Sequence, residues 1–384
     1  MRTTEQVRLA EHTTLRLGGP AARFSVAATE PDLVAAVAAA DREGEPVLVL
    51  GGGSNLVVGD AGFPGVVVQV ACHGATFAVG PDAVEVTAPA GQNWDELVRQ
   101  CLAEALSGVE CLSGIPGTAG ATPIQNVGAY GQEVAEVITA VRAYDRLDRQ
   151  IVRLGPADLA FGYRTSMFKR LAAEATRQAA EATRQAGEAT SQAPEPTSQA
   201  ATGRYVVLDV TFRLPRSSQS APVRYGELAR LLGVAEGARV PAADARNAVL
   251  ELRRGKGMVL DDGDPDTRSA GSFFTNPVVA AERLGELSAE LSGEASVPHW
   301  PAGDSQIKLS AAWLIERAGF SRGFRLADDP EGARISTKHT LALTNPGHAT
   351  TAGLIRLARA IRDGVRSRFG VELTIEPTLV GVTL

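Results

Sequence analysis

The sequence predicts a protein of the α+β class with more than one domain. Its 384 residues exceed the ~100–200 residues of a typical single domain, and 44% hydrophobic with 21% charged residues is typical of a globular chain. Strand-like apolar runs and amphipathic helical segments both occur along it. One strand enters a glycine turn at Gly51–Gly53 without opening a helix afterwards, which argues against a doubly wound dinucleotide-binding fold.

The predicted elements follow from apolar spacing, taken in chain order. A helix is predicted at Glu30–Arg42, then strands at Pro46–Leu50 and Leu56–Val58. A GxGxxG pattern beginning at Gly51 would require glycine where the chain has Leu56. Further strands are predicted at Val66–Val70, Ala83–Ala88, Val137–Tyr144, Ile151–Leu154, the segment Phe161–Lys169, Arg204–Leu214 and Val371–Gly381, and helices at Trp94–Leu106, Ala242–Arg254, Lys308–Gly319 and Thr351–Phe369.

Composition limits the classes of function. A net charge of -6 argues against a general attraction to nucleic acid or to anionic membranes. No signal peptide and no apolar run of the ~18 residues needed to cross a bilayer is seen, so we expect a cytoplasmic protein, and we expect a monomer. Cys72, Cys101 and Cys111 have no metal-site spacing, which predicts reduced thiols in or near the core and no bound metal.

Residues 174–200 carry a seven-residue repeat of the type Glu-Ala-Thr-Arg-Gln-Ala. Alanine is the largest apolar side chain in it, so a coiled-coil seam cannot form. Pro194 and Pro196 would end any helix. We interpret about 171–203 as a low-complexity insertion, helical at first and then disordered, whose flanks Ser166–Lys169 and Arg204–Leu214 would otherwise pair as strands.

The most informative stretch is Ser113–Gly131, which we call the cradle loop. It contains five glycines, two prolines and the pair Gln125-Asn126, with almost no charge. Glycines allow positive φ and close approach to a ligand, and prolines stiffen the loop. Its N–H groups would suit a diphosphate and its amides a heteroaromatic ring. The alternative is an ordinary turn-rich connection.

A second glycine loop, Gly51–Asn55, lies about 60 residues before the cradle loop. It is interpreted as a turn between two strands whose N–H groups, with Ser54 and Asn55, would bind phosphate. Together, the two loops would hold opposite sides of one diphosphate.

Three further residues stand out because of their surroundings. Arg164 lies in an apolar, strand-like context and needs an anionic partner, which a structural carboxylate would also supply. Ser272 precedes Phe273-Phe274, and a serine there is either a shielded hydroxyl or a simple turn former. Glu376 lies in an otherwise apolar segment, where desolvation would raise the pKa of an unpaired carboxyl.

These motifs, in this order, resemble the UDP-N-acetylenolpyruvoylglucosamine reductase family, flavoenzymes of peptidoglycan precursor synthesis. The resemblance rests on Leu50–Asn55, Ser113–Gly131, Tyr163–Lys169, Gly271–Pro277 and Glu376-Pro377. It implies a two-part FAD-binding region of the vanillyl-alcohol-oxidase type at 1–75 and 76–221. It also implies an α+β substrate-binding domain at 222–384, whose last strand returns to the FAD region.

The resemblance also implies site residues. The catalytic residues would be Arg164, Ser272 and Glu376, and the substrate-binding residues Tyr163, Tyr225, Lys256 and Asn276. Non-covalent FAD would be bound by Gly51, Gly52, Gly53, Ser54, Asn55, Gly114, Pro116, Gly117, Gly120, Ala121, Gln125, Asn126, Gly128, Ala129, Tyr130 and Gly131. Thr275 stands where many members have lysine, and Glu376-Pro377 reverses the commoner Pro-Glu order.

The implied reaction passes a hydride from NADPH through FAD to the enolpyruvyl group of UDP-N-acetylglucosamine enolpyruvate. Arg164 would stabilise the enediolate, protonated Glu376 would donate a hydrogen bond, and Ser272 would protonate the substrate. The alternatives are another flavin-dependent oxidoreductase of the same fold and a catalytically silent nucleotide-sugar binder.

Overall fold

The computed structural model describes residues 3–175, 177–178, 202–290, 297–303 and 305–384. The chain forms two compact units. Unit 1 contains residues up to Arg8, Pro20–Gly53 and Gly62–Val259, and unit 2 contains Leu9–Gly19, Ser54–Ala61 and Leu260–Leu384. The chain therefore passes repeatedly between the units before its C-terminal third completes unit 2.

Unit 1 contains a mixed four-stranded sheet. Its strands, in spatial order, are Thr3–Arg8, Pro20–Ala27, Phe63–Val70 and Val47–Leu50. The first pair is antiparallel, and the other two pairs are parallel. The helix Glu30–Glu43 begins at Thr29, whose hydroxyl accepts the Asp32 N–H, and ends at Gly44 in the left-handed conformation. Its buried residues Leu33 and Val37 belong to the core of this unit.

The second sheet of unit 1 has five strands and is antiparallel throughout. Its order is Gln150–Leu154, Ile138–Asp145, Tyr205–Pro215, Ala83–Pro89 and Thr76–Val79. Trp94, at the start of the helix Trp94–Ala103, is 1% exposed, and its ring lies 5.6 Å from that of Phe212 on the central strand. This aromatic contact joins the helix to the sheet.

The flanks of the repeat differ from the prediction on one side. Tyr205–Pro215 is a strand, as predicted, but 167–175 is helical, so the predicted strand at Ser166–Lys169 is wrong. Ser166 starts the helix, because its hydroxyl accepts the Phe168 N–H at 3.2 Å and its carbonyl accepts the Arg170 N–H. The repeat itself lies almost entirely outside the described residues, so its predicted disorder stays a prediction.

Three more helices complete the described part of unit 1. They are Pro156–Leu159, Gly226–Leu232 and Ala242–Gly255. The last two share a small core with Cys111 and contribute Leu228 and Val249 to it. Cys72, Cys101 and Cys111 are free and buried, as predicted for core thiols.

Unit 2 is built on a long helix, Thr351–Phe369, and three small sheets. Thr350 caps the helix, and the Asp60 carboxylate accepts the N–H groups of Thr351 and Ala352 at 2.8 and 2.9 Å. The sheets comprise Ser269–Ser272 with Ala342–Thr344 and Arg334–Ile335, Val278–Ala280 with Gln306–Leu309 and His299–Pro301, and the parallel pair Leu56–Val58 and Thr378–Val380.

Two predicted elements of unit 2 are shorter in the structure. The helix predicted at Lys308–Gly319 spans Ala311–Arg317, because Gln306–Leu309 is a strand and Ser310 caps the helix by accepting the Trp313 N–H. The strand predicted at Val371–Gly381 is regular only at Thr378–Val380. A further helix is Glu282–Glu290.

The mixture of antiparallel sheets and separate helices confirms the α+β class. Strands of the first sheet end at Val70, and those of the second begin at Thr76. The predicted domain boundaries at 75/76 and 221/222 separate the cofactor-binding parts from the substrate-binding part. The compact units do not show which part binds cofactor or substrate, so these boundaries stay a prediction. None of the described helices is both long and apolar enough to cross a membrane.

Candidate functional site

Within unit 1, the structure brings the glycines Gly51–Gly53 against the cradle loop. A Cβ atom added to Gly52 would lie 2.7 Å from Gly117 Cα, and one added to Gly51 would lie 2.7 Å from Thr118 Oγ1. Gly53 has φ 60°, which favours glycine. The two loops therefore lie in contact with no room for a side chain at Gly52, while their predicted hold on opposite sides of one diphosphate stays a prediction.

Asp95 fixes the start of the cradle loop. Its carboxylate accepts the Gly114 N–H at 2.6 Å and two hydrogen bonds from the Arg246 guanidinium at 2.7 and 2.9 Å. Burial alone would raise the pKa of Asp95, but these hydrogen bonds and the nearby charges of Arg246 and Arg253 hold it below the usual value. Asp95 is thus an ionised anchor between two helices and the loop.

The middle of the cradle loop packs against the second sheet. The N–H of Ala119 donates to Gln92 O at 2.8 Å, and that of Gly120 donates to Ala90 O at 3.0 Å. A Cβ atom on Gly120 would lie 2.4 Å from Ala90 Cβ. These N–H groups, like that of Ala121, which donates to Thr118 O, serve the fold. The sequence predicted that the loop's N–H groups bind a diphosphate, and for these three N–H groups that prediction is wrong, because each donates to a backbone carbonyl.

Asn126 organises the loop from within. Its side-chain N–H groups donate to Glu133 Oε2 at 2.7 Å and to Gly162 O at 3.1 Å, and its Oδ1 accepts the Ala135 N–H at 3.1 Å. It is 1% exposed and has φ 48°. Protein groups therefore engage the N–H groups and the oxygen of this amide, whereas the sequence predicted hydrogen bonds to a heteroaromatic ring. The neighbouring Gln125 accepts a hydrogen bond from Lys169.

The cradle loop ends in a two-residue hairpin. Gly128–Ala129 pairs with Gln132–Glu133, and the turn residues Tyr130 and Gly131 have φ values of 49° and 83°. Two positive φ values are typical of a type I′ turn. The hairpin presents the Tyr130 side chain at its tip, and a Cβ atom on Gly131 would lie 2.8 Å from Arg224 Cβ.

Tyr130 meets two predicted substrate residues. Its ring contacts that of Tyr225 edge to face, with centroids 5.3 Å apart, and Lys256 Nζ lies 5.7 Å from its centroid. Lys256 Nζ also donates to Glu227 Oε2 at 2.5 Å. Burial raises the pKa of Tyr130 to about 12, with Glu227 adding to the effect and Arg253 opposing it. We call Tyr130, Tyr225, Glu227 and Lys256 the tyrosine cluster.

Arg253 lies beside this cluster. Its Nη2 donates to Met258 O at 2.7 Å, and its buried Nε finds no hydrogen-bond partner among the residues that the structure describes. Burial lowers the pKa of Arg253, while Tyr130 and Asp95 act against that shift. A Cβ atom on Gly114 would lie 3.4 Å from the same Nε. A desolvated positive charge is therefore fixed next to the cradle loop.

Arg164 also lies at the cradle loop. It donates to Gly128 O at 2.6 Å and to Asn126 O at 3.4 Å, and its guanidinium lies 5.7 Å from the ring centroid of Tyr163. The predicted strand context is wrong, because Gly162 and Thr165 exchange backbone hydrogen bonds around a turn in which Arg164 has φ 51°. The turn aims the guanidinium at loop carbonyls, and Tyr163 is 37% exposed.

In unit 2, the structure brings Ser272 and Glu376 onto neighbouring segments. The Glu376 N–H donates to Phe273 O at 2.9 Å, and Phe274 pairs with Ile375 in an antiparallel bridge. Ser272 and Glu376 are half-buried, next to the buried rings of Phe273 and Phe274, whose centroids are 5.2 Å apart. Ser272 ends a strand instead of forming a turn.

Other predicted residues of unit 2 have structural contacts as well. Asn276 Oδ1 accepts the Ala311 N–H at 2.9 Å, so it holds the start of the helix Ala311–Arg317. Asn55 O accepts the Thr378 N–H at the start of the parallel pair, and Ser54 lies just before it. The roles of all predicted site residues toward cofactor and substrate stay predictions.

Sequence reasoning missed three residues that shape the site: Asp95, Arg246 and Glu227. Asp95 is signalled only weakly, as an acidic residue in the first turn of a helix. Glu227 lies two residues after the predicted substrate residue Tyr225, but nothing in the sequence indicates its ion pair with Lys256. Pairs between separate elements leave no periodic signal.

Comparisons with known proteins agree with this arrangement. The chain matches a model of the FAD binding domain at residues 21–155 and one of the UDP-N-acetylenolpyruvoylglucosamine reductase C-terminal domain at residues 264–380. The reductase of that name from Thermobifida fusca (strain YX) is 51% identical, with 98% of each chain covered. The one from Salinispora arenicola (strain CNS-205) is 52% identical, with 99% of this chain and 96% of the relative covered.

A solved structure supports the fold. The crystal structure of UDP-N-acetylenolpyruvylglucosamine reductase from Thermus caldophilus superposes with a TM-score of 0.60 over 99% of each chain, at 24% sequence identity. The FAD-binding match covers both sheets of unit 1 apart from the edge strand Thr3–Arg8 and the later strand Tyr205–Pro215. With half of its residues identical to these relatives over nearly its full length, the chain belongs to the UDP-N-acetylenolpyruvoylglucosamine reductase family.

Proposed function

We propose that this protein reduces UDP-N-acetylglucosamine enolpyruvate to UDP-N-acetylmuramate with NADPH, using non-covalent FAD. The observation that carries the proposal is the identity of about half the residues over 98% of the chain to a relative bearing that reductase name. The cytoplasmic location and the monomeric state expected from the sequence belong to the proposal as well.

The residues of unit 1 fit an FAD cofactor. The two glycine loops approach each other where side chains cannot, which suits a cofactor that must lie close to backbone. Gly51, Gly52 and Gly117 would hold its diphosphate. The hairpin residues Gly128–Gly131 would lie along the rest of the cofactor. When bound, FAD would supply hydride transfer from NADPH to C3 of the enolpyruvyl group.

Arg164 would stabilise the charge that reaches the substrate carboxylate. Hydride addition at C3 pushes an electron pair from the carbon–carbon double bond into that carboxylate and gives an enediolate. A guanidinium oriented by two loop carbonyls is a fixed cation, which needs no reorganisation during the reaction. Tyr163, beside this guanidinium, would contact the substrate.

Ser272 and Glu376 would handle the proton. Ser272 would donate its hydroxyl proton to C2 of the enediolate, which completes the lactyl ether, and would be reprotonated from solvent. Glu376, in its protonated form, would donate a hydrogen bond to the developing oxyanion. Their neighbouring backbone segments support a joint role, and the flanking phenylalanine rings would exclude water.

The remaining substrate contacts would bind the nucleotide diphosphate. Lys256 supplies a cation and Tyr225 an exposed hydroxyl-bearing ring in the tyrosine cluster. The amide nitrogen of Asn276 would be the contact on that residue, since its Oδ1 holds the Ala311 N–H.

The test is direct. The purified protein should show the absorption bands of a flavin, and denaturation should release all of it as FAD into the supernatant. NADPH oxidation should depend on the enolpyruvyl substrate, and the product should be two hydrogens heavier. A colourless protein, flavin that stays with the precipitate, or NADPH oxidation without product would refute the proposal.

A further inference from the structure

The cation proposed to bind the substrate diphosphate already has an anionic partner in this protein. Lys256 Nζ lies 2.5 Å from Glu227 Oε2, and the two side chains are 29% and 36% exposed. Both groups are accessible to a ligand, so the pair is not a sealed core contact. A diphosphate that binds Lys256 must therefore displace the Glu227 carboxylate or bind beside it.

We propose that Glu227 is an internal counter-ion that competes with the substrate diphosphate for Lys256 and thereby sets the affinity for the nucleotide sugar. The inference rests on the proposed function, which assigns the diphosphate to Lys256. In this proposal Glu227 weakens the binding of the nucleotide sugar, whereas the binding residues strengthen it.

The position of Lys256 leaves few other arrangements for its ammonium group. Lys256 caps the helix Ala242–Gly255, whose Val249 packs in the same core as Leu228 of the Glu227 helix. The Tyr130 ring lies on one side of the ammonium, at 5.7 Å, and the Glu227 carboxylate lies on another. The two helices pack on each other through this core, so Glu227 remains close to Lys256 when the pair opens.

Charge decides the direction of the effect. A diphosphate carries more negative charge and more acceptor oxygens than a carboxylate, so it can displace Glu227 from the ammonium. The displaced carboxylate stays negatively charged near the diphosphate, and like charges at short distance repel. Binding therefore loses one ion pair and gains one repulsion, and both terms disappear when the carboxylate is removed.

The experiment compares Glu227→Gln with Glu251→Gln in the full-length flavoprotein. Glu251 is exposed on the Ala242–Gly255 helix, so this control removes the same charge from the helix that leads into Lys256. Binding of UDP is measured by calorimetry, and KM and kcat are measured with the enolpyruvyl substrate. Equal flavin content in all variants shows that folding is intact.

We expect Glu227→Gln to bind UDP about 3- to 10-fold more tightly and to lower KM by a similar factor, since a partly exposed pair is worth up to about 1 kcal/mol and repulsion adds to it. The turnover number kcat of Glu227→Gln should not rise. Glu251→Gln should change UDP binding by less than about 1.5-fold, the size expected for a screened surface charge.

A double-mutant cycle with Lys256→Met tests the partner. Lys256→Met should weaken UDP binding. In that background, Glu227→Gln should tighten UDP binding much less than it does in the wild-type protein. Unchanged or weaker UDP binding in Glu227→Gln overturns the inference, since it would make Glu227 neutral or a positioning residue for Lys256. A full gain in the Lys256→Met background also overturns it. Failure of the proposed function looks different, because the wild-type protein would then not reduce the enolpyruvyl substrate.

Discussion

Replacing Gly52 by alanine tests whether contact between the two glycine loops underlies cofactor binding. The new Cβ atom would lie 2.7 Å from Gly117 Cα and 3.4 Å from Gly117 N, where ordinary contacts begin at 3.4 Å. Neither of the contacting atoms belongs to a flexible side chain, so one loop must move by about 0.7 Å. Overpacking of this kind costs about 1–3 kcal/mol in stability.

The effect on FAD should exceed the effect on stability. A displacement approaching 1 Å in a binding loop can cost on the order of 100-fold in function, so we expect Gly52→Ala to be purified with little FAD. The assay is the ratio of flavin absorbance to protein absorbance, followed by titration with added FAD. Gly155→Ala is the matched control, because Gly155 has φ -90° and an added Cβ atom would approach, among the described residues, only the Asp158 carboxylate, at 3.7 Å. Wild-type FAD content in Gly52→Ala would refute the reasoning.

Three further predictions concern the proton donor, the repeat and the loop anchor. Ser272→Ala should leave flavin reduction by NADPH near the normal rate but slow reoxidation by the enolpyruvyl substrate by roughly 10²–10⁴-fold in stopped flow; equal slowing of both steps would make Ser272 a structural residue. Deleting residues 179–200 should leave FAD content and melting temperature unchanged, because alanine-rich repeats bury little apolar area; a large loss would show that they pack on the protein. Asp95→Asn should lower stability by about 1–2 kcal/mol at pH 7, the range for a partly exposed charged hydrogen-bond pair. Because folding lowers the pKa of Asp95, its contribution to stability is present above the unfolded pKa near 4 and is lost as pH falls through the lower folded pKa. The acid side of the curve of stability against pH should therefore flatten in this variant, and an unchanged curve would contradict the anchor role.

Local elements of the fold were predictable from the sequence because period and end signals agree. The helix Glu30–Glu43 has Thr29 before it, Pro31 in its first turn and Gly44 after it, and the structure places its ends there. The helix Ala311–Arg317 was predicted too long, since the periodic pattern continues through Lys308 while strand pairing with Val278–Ala280 takes that residue. Periodicity cannot reveal which neighbour a short apolar run will join.

The two loops of the candidate site were predictable from the sequence, but the side-chain contacts between distant residues of the site were not. Glycine density identified both loops, and the structure shows that they meet. The engagement of the Asn126 amide and the pair of Glu227 with Lys256 depend on residues far apart in the chain, so no local pattern predicts them. The turn at Arg164 was missed because a left-handed arginine has no sequence signature comparable to that of glycine.

The order of synthesis matters for a protein whose unit 2 is assembled from three separate parts of the chain. The strand Leu56–Val58 leaves the ribosome early, but its partner Thr378–Val380 follows about 320 residues later. Leu15, Leu17 and Val57 share a core with the helix Thr351–Phe369, which follows them by about 290 to 340 residues. During that interval the core of these apolar residues is incomplete, so unit 2 can close only near the end of translation, and a nascent chain stalled earlier would expose them to chaperones or aggregation.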